Sequence, residues 1–570
     1  MDAYPLIADH GLIGDLQTAA LVTTDGEIDW FCSPRFDSPS IFASLLDRER
    51  GGRFRIAPAE GDYVSKQLYV PDSAVLITRF MAPSGVGEVI DFMPVPDPTR
   101  RTENHRMVRM VRVVRGQMRF LVECTPRFDY GRGEHTLELT DDGVLFRAKD
   151  VQLTLHAAHL LTFDQEGVRA RHPQGDGLRV SVTVHAGEVG GVMLETAAEG
   201  PPRRLTRDEV TALFDDTVAF WRRWLRRSTY RGRWREQVAR SAMTLKLMTY
   251  APTGALVAAP TAGLPEQVGG ERNWDYRFTW IRDASFSVYA LLGLGYLEEA
   301  QAFLRWLGDR VQEQVGVDSG PLKIMYRVDG TSELGEETLD HLSGYRGSAP
   351  VRIGNGASDQ LQLDIYGEAI DSIYFAHRHG TGLPYQGWTR LSGIIDWLCE
   401  HWDEPDEGVW ETRGGRQDFV YGRINSWTAL DRAIRIAADT GRPGDVARWL
   451  TERDRIYRQV MDRGWHDKRA AFVQHYATDV LDAALLRMVQ VGFVTPEDPR
   501  WLSTLNAMDS ELVSDSLVYR YNPEASPDGL RGSEGTFSLC TFWYVDALAR
   551  SGRLDEAQLI FEKMFTYANH

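Results

Sequence analysis

Cysteine is nearly absent: four in 570 residues, at Cys32, Cys124, Cys399 and Cys540, with no C-x-x-C spacing. That excludes a disulfide framework and a thiolate zinc site. No apolar run approaches the ~18 residues that span a bilayer. The start, Met1-Asp2-Ala3-Tyr4-Pro5, lacks the basic segment and apolar stretch of a secretory signal. Positive charge is in deficit, with 64 Lys and Arg against 81 Asp and Glu and a formal net charge of -17. Nucleic acid and anionic membranes select the opposite sign, so neither is expected as a partner. Low-complexity tracts are missing too. Together these absences predict a soluble, cytoplasmic globular protein suited to a neutral small-molecule substrate, with no metal or cofactor.

What the chain does have is length and aromatic side chains. At 570 residues it exceeds one core, and its 16 Trp and 21 Tyr suit helical cores, interfaces or carbohydrate surfaces. Up to about residue 205 the apolar pattern has period two, with turn signals such as Asp25-Gly26 and Asp142-Gly143. This predicts an antiparallel β-sandwich over 1–205. The period changes at Thr206-Arg207-Asp208-Glu209, an N-cap with an acidic first turn, which opens a helical linker over 206–233. From 234 to 570 helical spacing predicts eleven helices, at 234–250, 283–292, 298–314, 364–379, 388–402, 421–440, 444–463, 482–491, 499–511, 536–550 and 554–567. Long and short connections alternate, as in a toroid of helical hairpins whose long loops gather at one end. An even toroid needs a twelfth helix.

Three clusters fall in the long loops. The first runs from Gly269 to Asp283 and packs aromatic rings, three guanidiniums and three carboxylates into fifteen residues. Sugar rings offer apolar faces to aromatics and hydroxyls to bidentate charged groups, so this mixture suits a sugar pocket better than a core. Tyr276, Trp280, Arg282 and Asp283 lie nearest the following helix. The second cluster contains Arg352, Asn355, Gln360, Gln362 and Asp364; the third runs from Asp406 to Gly415 and holds Trp410 and Glu411. Beside Trp410 and glycines, Glu411 is open to desolvation, which raises a carboxyl pKa and suits a general acid. Other motifs fail. The histidines of His156-Ala157-Ala158-His159 have helical metal spacing but fall in a strand. Gly354-Asn355-Gly356 lacks the third glycine of a dinucleotide site, and no nucleophile elbow occurs.

Over essentially its whole length the chain resembles glycoside hydrolase family 15, the glucoamylase, glucodextranase and trehalase group, and most of all its trehalase-like branch. The resemblance starts at Tyr4-Pro5-Leu6-Ile7-Ala8-Asp9-His10-Gly11, continues through Asp29-Trp30-Phe31-Cys32-Ser33-Pro34-Arg35-Phe36-Asp37, and includes all three clusters. It implies a β-sandwich followed by an (α/α)6 barrel, eleven of whose twelve helices are visible. It also implies exo-acting hydrolysis of an α-glucoside with inversion, trehalose being the first choice. Glu411 after Trp410 then matches the general acid. Arg282 and Asp283 would grip the terminal glucose, Tyr276 and Trp280 would wall its subsite, and Asn355, Gln362 and Trp410 would line the pocket.

Inversion needs a second carboxylate, about 6.5–9.5 Å from the acid. The resemblance puts it in a glutamate-rich loop before the last barrel helix, and no such context occurs before His570. The base is therefore expected beyond residue 570, with Glu534 as a stand-in; Glu534 equally fits a cap at the helix that follows. Two rivals stay open: a glucoamylase or isomalto-oligosaccharide hydrolase with the same machinery, and a catalytically silent sugar-binding protein. The sandwich edge and outer helices offer surfaces for a homo-oligomer.

Overall fold

The computed structural model describes residues 4–569 apart from 96, 98–99, 159–168, 171–175, 314–319, 523–524 and 526–534, with backbone alone at 169–170 and 312–313. Between His10 and Thr196 the chain forms fifteen antiparallel strands in two layers that share one long member, Arg106–Thr125. The first half of that strand pairs with Val189–Thr196 and Gly85–Phe92, the second half with Arg53–Pro58 and Gly177–His185. Between the halves stands Gly116 at φ 75°, where a Cβ would lie 2.3 Å from the carbonyl oxygen of Ser84. Only glycine fits there, and the strand passes from one layer to the other. Period alone suggests a strand-turn-strand unit in this stretch; the structure has a single bent strand. Phe31, Phe54, Phe80, Val111, Phe120, Phe146 and Leu155 fill the common core. His156 lies in a strand and bonds Glu195 at 3.0 Å, while His159 lies outside the described residues.

Thr206 caps the helix Arg207–Leu225 by accepting from the amide of Glu209. Eleven barrel segments follow among the described residues, beside the short 3-10 helices Tyr345–Gly347 and Phe565–Tyr567. Five form an inner ring: Ile281–Gly293, Asp364–Arg378, Val420–Thr440, the paired turns Ala483–Leu486 and Arg487–Gln490, and Ser538–Arg550. Val420–Thr440 is buried around almost its whole circumference, as an inner helix must be. The outer helices are Arg235–Leu247, Leu297–Glu313, Tyr385–His401, Val446–Arg463, Pro499–Glu511 and Leu554–Met564. Architecture and order are those the two sequence periods predict. The segment expected as one helix over 482–491 is a 3-10 turn continued by a single α-turn, capped by the carboxylate of Asp482.

Sandwich and barrel are locked together beneath the first cluster. Arg277 grips Asp275 through two bonds of 2.9 and 2.7 Å and reaches the carbonyl of Ser38 at 2.7 Å. Both partners are buried, at 2% and 0% side-chain exposure. Trp30 donates across the same junction to the carbonyl of Pro260. This anchors the strand that leads to Trp280.

Candidate active site

The chain turns from the short strand Thr279–Trp280 directly into the helix Ile281–Gly293. Trp280 occupies the N-cap and Arg282 and Asp283 the first turn, where the dipole favours an anion. All three face a hollow at this end of the helical ring, together with Tyr276, whose ring lies 5.7 Å from that of Trp280 at 42°. From the other side comes the 406–415 loop. Its residue Glu411 has φ 57°, a left-handed conformation uncommon for a residue with a side chain. This turns the carboxyl inward. Trp280 Nε1 donates to Glu411 Oε1 at 2.6 Å, and Arg282 Nη2 lies 3.6 Å from the same oxygen. Arg282 also donates to the carbonyl of Val409 at 2.6 Å and to Asp283 at 3.0 Å, tying the Glu411 loop to the helix.

Burial pushes the Glu411 carboxyl above its ordinary value; Arg282 and the Trp280 bond pull it back, while Asp283 and Asp364 push it up again. Its side chain keeps 21% exposure, all that reaches the hollow. Next to it, Trp410 donates to both oxygens of Asp482, at 3.0 and 3.1 Å, fixing the indole as a wall. Desolvation drives Asp482 up to about 6.

Asn355 borders the hollow, its Oδ1 holding the amide of Ala357 at 2.9 Å. Gln362 does not border it. That residue is buried one layer back, donating to Gln360, which in turn reaches toward the carbonyls of Glu411 and Thr412. Glu534 lies outside the described residues. Glu266 and Arg520, which sequence reasoning did not single out, also line the hollow. Glu266 pairs with Arg520 at 3.2 Å, and Arg520 lies over the rings of Trp410 and Phe537 at 5.5 Å each. Trp274 carries Arg352 and Arg413 over its ring at 5.0 and 4.6 Å. Among the described residues the carboxylates bordering the hollow are Glu266, Asp283 and Glu411.

Residues 232–569 match the family model described as glycosyl hydrolases family 15, and residues 2–171 match the one described as trehalase-like, N-terminal. The chain belongs to glycosyl hydrolase family 15. It is a glycosidase. Across 99% of its length this family member is 37% identical to a trehalase of Mycolicibacterium smegmatis, covering 86% of that protein. It is 35% identical to a trehalase of Thermoplasma volcanium, over 100% of this chain and 89% of the other. A crystal structure of a bacterial glucoamylase complexed with acarbose superposes with a TM-score of 0.70 at 13% identity, over 97% of this chain and 87% of that one. The shared architecture is thus a sheet domain preceding a glucoamylase-type helical barrel.

Proposed function

We propose that this glycosidase hydrolyses trehalose, acting at the end of its substrate and inverting the attacked carbon, with Glu411 as the general acid. The observation that carries the reading is the 2.6 Å bond between Trp280 and Glu411, which puts the acid in the same hollow as Arg282 and Asp283. The trehalase-like N-terminal match and the two trehalase relatives support trehalose as substrate.

In this mechanism Arg282 and Asp283 hold the hydroxyls of one glucose against Tyr276 and Trp280. Asn355 and Trp410 complete the wall, and Gln362 supports it from behind. Glu411, whose carboxyl burial pushes above its ordinary value, donates its proton to the glycosidic oxygen as the C–O bond breaks. A second carboxylate takes a proton from the water that attacks the opposite face; from sequence, Glu534 is the stand-in for that group. No metal or cofactor enters.

The test is glucose release from trehalose, maltose, isomaltose and kojibiose, with the product anomers read by proton NMR within minutes. Inverting attack on trehalose yields one α- and one β-glucose per bond cleaved; retention yields α alone. Preference for another disaccharide would replace the trehalose assignment. Calorimetric sugar binding with no product on long incubation would make the protein a silent binder.

A further inference from the structure

The hollow is bordered by more polar and aromatic groups than one glucose needs. Tyr276, Trp280, Arg282 and Asp283 meet at the start of the helix Ile281–Gly293, and Glu411 bonds Trp280 there. A second set borders the same hollow. Trp274 lies on the strand Asn273–Asp275, two residues before Tyr276, and Arg413 lies two residues past Glu411 on the facing loop. Both side chains line the hollow, and the Arg413 guanidinium stands 4.6 Å from the centre of the Trp274 ring.

That guanidinium is held in one direction. Arg413 Nη2 donates to Glu336 Oε2 at 3.0 Å, and the same oxygen accepts the amide of Gly356 at 3.0 Å. The other Glu336 oxygen lies 3.4 Å from Arg352 Nε. Arg352 in turn stands over Trp274 at 5.0 Å and donates to the carbonyl of Glu271 at 2.7 Å. Among the described residues, one of the five N–H groups of Arg413 has a protein acceptor. Nor does the loop need Arg413 for its shape. Gln360 reaches toward the carbonyls of Glu411 and Thr412, Thr412 donates to the carbonyl of Glu407 at 3.0 Å, and Arg416 pairs with Glu407 at 3.0 Å. A guanidinium fixed in direction, with donors to spare and facing a hollow, is prearranged for a ligand.

The place of the acid says which ligand. A general acid stands at the glycosidic oxygen, so a disaccharide has one ring on each side of that contact. The groups at the helix start take the first ring. Arg520 and Glu266 pair with each other at 3.2 Å. Trp274 and Arg413 are left for the second ring: an indole receives the C–H face of a pyranose, and a guanidinium fork donates to neighbouring hydroxyls. In trehalose that ring is joined through C1, in maltose through O4 and in isomaltose through O6, so one fixed clamp meets different hydroxyls in each.

We propose that Trp274 and Arg413 form the subsite for the second glucose and set the preference among glucosidic linkages, with Glu336 as a positioning residue for Arg413. This rests on the reading of Glu411 as the acid.

The test compares trehalose with α-glucosyl fluoride, which carries the first ring and no second. Arg413→Gln is expected to lower kcat/KM for trehalose at least about tenfold, the size of a lost charge-assisted hydrogen bond. Fluoride release from α-glucosyl fluoride should stay within about twofold. Trp274→Leu should show the same split, and Glu336→Gln a smaller one, since the guanidinium remains but is no longer held. Equal losses on both substrates, or no loss on trehalose, overturn the proposal. So does a wild-type protein that hydrolyses the fluoride but none of trehalose, maltose, isomaltose and kojibiose. A wild type that prefers maltose, and loses that preference in Arg413→Gln, keeps the subsite and removes only the trehalose assignment. Wild-type turnover of trehalose in Glu411→Gln removes the acid, and the subsite with it.

Discussion

The indole of Trp280 donates to Oε1 of Glu411 across 2.6 Å, joining residues 131 positions apart in the chain. The bond favours the ionised carboxyl, whereas the burial around it favours the neutral one. Trp280→Phe keeps most of the wall and removes the donor. The basic limb of kcat should move to higher pH, because a contribution that lowers the acid's pKa is lost. A limb that moves to lower pH would contradict the assigned bond.

Glu411→Gln keeps an acceptor for Trp280 and removes the proton donor. Turnover should fall by about 10²–10⁴, the range for a lost general acid, with sugar affinity largely retained. Since the folded protein holds this carboxyl above its unfolded pKa, its favourable contribution fades as pH rises through the folded value. The neutral amide should therefore raise Tm at pH 8. Activity loss together with a lower Tm at that pH would point to damage rather than lost chemistry.

The pair Arg277–Asp275 is fully enclosed where sandwich meets barrel. Arg277→Met leaves Asp275 buried without its partner, which should cost about 3–5 kcal/mol, read as a lower midpoint in urea. Adding Asp275→Leu should recover part of that loss. A single variant as stable as the parent would remove this pair from the account of the junction.

Four enclosed carboxyls lie well above the ordinary range, chiefly through burial: Asp364 and Asp482 at about 6, Glu368 at about 7 and Asp406 at about 8. Unfolded, such groups titrate near about 4. The stability they contribute is complete below that value and is lost as pH rises through 6 to 8. Glu195 and Asp329, held down at about 2, act in the opposite sense and lose their contribution as pH falls toward 2. Calorimetry should therefore give a higher Tm at pH 5 than at pH 8.5, and equal values would refute this balance of groups.

Legibility in the sequence followed distance along the chain. Tyr276, Trp280, Arg282 and Asp283 share one strand–helix junction, so their nearness to the helix start was readable from spacing, while their roles came from resemblance. Glu411 was one acid among 81; its place beside Trp410 and glycines made it a candidate, and resemblance singled it out as the general acid. Arg520, Glu266 and the Trp410 support from Asp482 come from separate loops, with no local pattern to announce them. Gln362 sits two residues from Gln360, and spacing could not tell which of the two reaches the 406–415 loop.

By itself the sequence determined the kinds of element and their order, because burial of one face repeats every two residues in a strand and every 3.6 in a helix. It also determined the local chemistry at the start of the helix Ile281–Gly293. The tertiary structure alone decided which distant side chains share low dielectric and charge with that helix start. Proton affinity at Glu411 and Asp364 depends on neighbours brought within a few ångströms by folding, and linear order carries no record of that distance.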